Sequence, residues 1–104
     1  MATYTPKPLA TQVALAASNT TVYTPSGVTG IIRTIVAQSA AAGKNFTLSI
    51  GADGAGTRLY DAFVLTQNVP EIRNGWWPVL TGVAVNMYCA ATAVNGGLYG
   101  YEYA

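Results

Sequence analysis

The run NFTLSIGADGAGTRLYDAFVL, residues 45–65, sets the fold class of this 104-residue chain. In its first half Phe46, Leu48 and Ile50 point one way and Thr47 and Ser49 the other, which is the alternation of a half-buried strand. Gly51, Asp53-Gly54 and Gly56 then supply residues that accept positive φ, and Arg58 to Leu65 runs on as a second strand. The plain reading is a hairpin. The segment GADGAGTR has the glycine spacing of a phosphate loop, but Thr57-Arg58 stands where such a loop needs a lysine and a hydroxyl. It also lacks the acidic spacing of a calcium loop.

The same alternation recurs on either side of this hairpin. In VAVNMYCA, residues 83–90, Val83, Val85, Met87 and Cys89 share a face against Ala84, Asn86 and Tyr88. Around TQVALAA, Val13 and Leu15 alternate with Gln12 and Ala14. The stretch GIIRTIVAQ, residues 30–38, is apolar on both sides, with Ile32 and Val36 on one face and Ile31 and Ile35 on the other beside Arg33. A strand of that kind is central in a sandwich or covered by a partner. Turn signals fall at about 8–12-residue intervals, as in sandwiches and barrels. They include Ser18-Asn19, PSGVTG (25–30), AAGKN (41–45), QNVP (67–70), Asn74-Gly75 and VNGG (94–97). Helical periodicity is absent, apart from room for a short turn in SAAAG (39–43) that Gly43 limits.

These signals predict an all-β fold: a single-domain antiparallel β-sandwich, jelly-roll-like or immunoglobulin-like, of seven to eight short strands. The strands are expected near 10–16, 20–24, 30–38, 45–51, 58–65, 76–80, 83–92 and 98–103, in two sheets around one core. Residues 1–9 are expected as an extended N-terminal arm and residues 10–104 as the sandwich domain.

Composition narrows function. Five basic and four acidic residues make the chain 9% charged, against roughly 25% in ordinary soluble proteins. Few charges leave surfaces and sheet edges little means of resisting association, so partner chains are expected to cover part of this one. The net charge is +1 and Lys7, Arg33, Lys44, Arg58 and Arg73 are scattered, which argues against nucleic acid as a partner. No apolar run approaches the ~18–20 residues of a membrane span. VALAAS, residues 13–18, lacks the basic region and length of a signal peptide, so none is expected. Cys89 reads as a small buried hydrophobe.

The chain has no histidine, which removes the commonest general base and metal ligand together. Asp53, Asp61, Glu71 and Glu102 show no spacing that suggests a catalytic pair. No enzymatic activity, catalytic residue, cofactor or metal is therefore expected, nor a small-molecule ligand. Asn19-Thr20-Thr21 and Asn45-Phe46-Thr47 match the glycosylation pattern but read as chance among 13 threonines.

Aromatic residues carry what remains. In NGWWP, residues 74–78, Asn74-Gly75 is expected to turn the chain and Trp76 and Trp77 to begin a strand on opposite faces. One indole then caps the core and the other points outward as a protein-contact anchor or a sugar-stacking platform. Pro78 cannot donate to a ladder, so this is an edge strand or a strand end. In LYGYEY, Tyr99, Tyr101 and Tyr103 share a face opposite Leu98, Gly100 and Glu102. Glu102 marks its own face as the wetter one, which puts the tyrosines over the core or across a subunit contact.

Taken in order from about residue 10, IIRTIVAQS, NFTLSIGADGAGTRLYDAF, NGWW and GYEY resemble small β-sandwich virion structural proteins of tailed bacteriophages, of the capsid decoration (cement) type. The resemblance implies a cofactor-free homo-oligomer, commonly a trimer, made in the host cytoplasm and located in the virion. It would sit at symmetry axes of the expanded head and brace the major capsid protein lattice. Contacts are then expected from Tyr4, Pro6 and Pro8 of the arm and from Ile31, Arg33 and Ile35 of the two-faced strand. Trp76, Trp77, Tyr99, Tyr101 and Tyr103 complete the candidate set. Two alternatives stay open: a tail, collar or fibre-associated module, and a carbohydrate-binding sandwich using an exposed tryptophan beside Glu71, Arg73 and Asn74.

Overall fold

A computed structural model describes residues 4–15, 20–41, 43–51, 57–89 and 94–104, without the side chains of Tyr4 and Gln12. Those residues form eight strands: β1 Tyr4–Ala14, β2 Thr20–Tyr23, β3 Thr29–Ser39, β4 Lys44–Ile50, β5 Arg58–Leu65, β6 Glu71–Val79, β7 Val85–Cys89 and β8 Val94–Tyr103. The hairpin read from residues 45–65 is β4 against β5, and the other strands nest around it. β3 pairs with β6, β2 with β7 and β1 with β8, all antiparallel. Rolling this nested ribbon brings β3 against β8 and β4 against β7. The result is two four-stranded sheets, β1-β8-β3-β6 (sheet A) and β2-β7-β4-β5 (sheet B).

That order is a jelly roll. An immunoglobulin sheet would set the first strand beside the second; here β1 and β2 lie in different sheets. The core fills the gap between the sheets. Phe46 and Leu48 of β4 and Val85, Met87 and Cys89 of β7 meet Ile32 and Ile35 of β3 and Leu98 of β8, all of them fully buried. Val83 packs against the same cluster, as its alternation with Val85 predicts.

Several boundaries differ from the sequence reading, each for a physical reason. The segment expected as an arm is strand from Tyr4 onward: it pairs with β8, and Leu9 enters the core. Pro6 and Pro8 fit there because β1 is an edge strand. Residues 1–3 lie outside the described residues. Asn74-Gly75 does not turn. It sits inside β6, where the register passes from Ile32↔Trp77 to Thr34↔Asn74, so three steps on β6 oppose two on β3. VNGG is likewise the first part of β8, not a turn. A Cβ on Gly96 would meet the Met87 sulfur at 2.5 Å, so the residue is small because the sheets close there. The turn expected at 51–56 lies outside the described residues after Gly51, and the described residues around 39–43 form bends rather than a helix.

β3 carries the most consequential correction. Its pairing with β8 passes from Ile32↔Gly100 to Thr34↔Tyr99, so Arg33 and Thr34 together oppose one residue. This bulge resets the alternation. Ile32 and Ile35 both enter the core, and Ile35 is therefore not a contact residue.

Candidate interaction surface

The outward face of sheet A follows from its inward one. Leu98 lies in the core. Glu102 accepts a 2.5 Å hydrogen bond from the Tyr23 hydroxyl of β2, in the opposite sheet. A Cβ on Gly30, which pairs with Glu102, would strike the Tyr23 ring. Leu98, Gly100 and Glu102 thus look inward, and Tyr99, Tyr101 and Tyr103 look out, each half-buried. The tyrosines do not lie over the core. Glu102 misled the sequence reading because its partners, Tyr23 and Lys7 at 2.9 Å, satisfy it in the mouth between the sheets.

Reading across the sheet, Pro6, Tyr101, Ile31 and Pro78 form one row on this outer face. Pro8, Tyr99, Thr34 and Asn74 form the next, where the Thr34 hydroxyl donates to Asn74 Oδ1 at 2.9 Å. Ile31 is wholly buried yet absent from the core cluster, so its row neighbours cover it. Gly100 lies so close beneath that a Cβ on it would fall on the Ile31 carbonyl oxygen. Arg33 is exposed beside these rows. Tyr4 pairs with Tyr103 through its backbone, but its side chain lies outside the described ones.

β6 resolves the tryptophan pair. Trp77 packs against the core and Trp76 is 57% exposed, on an edge strand that Pro78 helps to blunt. Trp77 is therefore not part of the outer face. The Arg73 guanidinium lies over both the Trp77 and Tyr60 rings, 5.4 and 5.6 Å from their centroids, and donates to the Leu59 carbonyl. Arg73 is thus turned between the sheets, away from the exposed indole that a sugar would stack on.

Sheet B presents a different outer face. Thr47, Ser49 and Asn86 are buried there by neighbours. Thr21 donates to Asn86 Oδ1 at 2.7 Å, and Asn86 donates to the Gly51 carbonyl. Arg58 pairs with Asp61 at 2.9 Å and reaches the Tyr88 hydroxyl. Thr47 accepts from the Ala62 amide, at a β5 irregularity where Ala62 has φ of 51°. Apart from Ser49 Oγ, which is buried without a partner, these polar groups are satisfied within the face. Sheet A instead offers rings and prolines; Ile31, expected as a contact residue, is sealed beneath them.

Sequence reasoning missed a further apolar group. Phe63, Val64, Val69, Ile72 and Leu80 are exposed together with Trp76, all between residues 63 and 80. Nothing in local alternation marks them, because their exposure depends on β5 and β6 being the sheet edges on one side. Among the described residues, no three His, Cys, Asp or Glu side chains gather as a metal group.

The fold and the surface together define an eight-stranded jelly-roll sandwich with one aromatic and one polar outer face. No protein-family model, curated protein or solved structure matches the chain.

Proposed function

We propose that this chain is a non-enzymatic structural protein of a tailed-phage virion, of the capsid decoration type, which seats the outer face of sheet A on the major capsid protein. The fold alone does not assign this role, since jelly rolls serve capsid and lectin domains alike. The observation that carries the reading is the contrast between the two outer faces. Tyr99, Tyr101, Pro6, Pro8 and Trp76 offer rigid apolar area with hydroxyls at its rim, the composition of protein contact surfaces. The order of sequence segments described above is the second support.

Binding to empty, undecorated shells of the major capsid protein tests the proposal. The wild-type chain should saturate the shells at a fixed ratio, and a folded Tyr99→Ser/Tyr101→Ser variant should bind at least about tenfold more weakly. Failure of the wild type to bind shells, with binding to tail or fibre assemblies instead, would move the protein to the neighbouring virion role. Stacking of a sugar on Trp76 is the competing use of the same exposed ring, and a glycan array decides it. A decoration protein should ignore every glycan.

A further inference from the structure

The six exposed large hydrophobics between residues 63 and 80 lie on β5, on β6 and beside β6, the edge strands on the same side of the two sheets. Arg73 of β6 bridges that side by donating to Leu59 of β5. Val64, Val69, Ile72, Trp76 and Leu80 are each more than half exposed. Together the six supply on the order of half of the roughly 800 Å² that a standard interface takes from each partner. Apolar exposure on that scale matches the largest patch of an ordinary monomer, which is often a functional surface.

We infer that this flank is a contact between two copies of the chain, related by a two-fold axis at Ile72. The geometry of the β6 edge selects that centre. Pro78 has no N–H to offer, the register break between Asn74 and Trp77 interrupts the edge, and Pro70 closes its other end. The regular, open part is Glu71 to Arg73. Antiparallel pairing of this segment with its own copy sets Ile72 on the partner's Ile72. It also sets Glu71 against the partner's Arg73, and Arg73 against the partner's Glu71. Those are the two charged residues of β6, opposite in sign and two positions apart. A strand with that pattern is complementary to itself across a two-fold.

Residues directly opposite in an antiparallel pair point to the same side of the sheet. The two sheet A outer faces therefore become one surface, and a dimer would dock twice where a monomer docks once. Self-association does not depend on what that surface binds, so shell binding and dimerisation fail separately.

Light scattering and sedimentation of the full chain over a concentration series test the inference. The expected mass is twice the 10.8 kDa of the chain. Ile72→Asp should give a folded monomer. Glu71→Arg alone should raise the dimer dissociation constant about tenfold or more. Adding Arg73→Glu should bring it back toward the wild-type value, which a mere loss of folding could not do. A wild type that is monomeric at every concentration, or trimeric, overturns the inference. So does a dimer indifferent to Ile72→Asp and to Glu71→Arg.

Discussion

At Glu102 one carboxylate accepts from Tyr23 of β2 and pairs with Lys7 of β1, so three strands from two sheets are tied at one mouth of the sandwich. The Tyr23 hydrogen bond, then that of Lys7, holds the Glu102 carboxyl below the usual carboxylate range. Burial first, and Glu102 second, pushes the Tyr23 phenol above its ordinary range. The signs differ. A carboxyl with a lowered folded pKa stabilises above its unfolded value of about 4.3 and loses that contribution as pH falls through the folded value. A phenol with a raised folded pKa contributes below about 10 and loses its contribution as pH rises. The tie should thus be intact through neutral pH. In thermal melts, the advantage of the wild type over Glu102→Gln should be present at pH 7 and shrink below about pH 4. An advantage independent of pH down to 2 would mean that the carboxylate charge contributes nothing.

At the scale of elements, edges and bulges decide which neighbouring residues do opposite jobs. Trp76 and Trp77 are adjacent, yet one is exposed on the β6 edge and the other covers the core under Arg73. In the monomeric Ile72→Asp background, Trp76→Ala should change stability by no more than about 0.5 kcal/mol. Trp77→Ala should cost about 2–3 kcal/mol through lost packing. Denaturant melts of the two variants check this, and equal effects would contradict the assigned faces. Strands whose signal is pure alternation, such as β4 and β7, were legible in the sequence because each residue's side is fixed by its neighbours. The faces of β3 were not, since its bulge arises from pairing with β8. Glycine was the other blind spot. Gly27, Gly43 and Gly82 hold positive φ at turns, whereas Gly75 and Gly96 lie within strands for lack of room for a Cβ. Both kinds read alike in one dimension. The candidate surface was legible as a group of tyrosines, prolines and an outward tryptophan. Ile72 and Val69 were not, because their exposure follows from long-range strand order.

For the whole molecule, the nested pairing puts almost every partner far away in the chain. β8, the last strand, lies between β1 and β3 in sheet A, so neither is paired with it until Val94–Tyr103 has been made. Folds dominated by such distant pairings form slowly, in milliseconds to seconds. Stopped-flow refolding should place this chain in that range, and completion within microseconds would contradict a nested order. The same pairing has a practical reading. Tyr4 lies directly beside Tyr103, on the sheet whose outer face carries the tyrosines. A peptide or reporter fused before Tyr4 and another fused after Tyr103 would leave from one rim as neighbours. Cargo attached at either point would crowd the aromatic face.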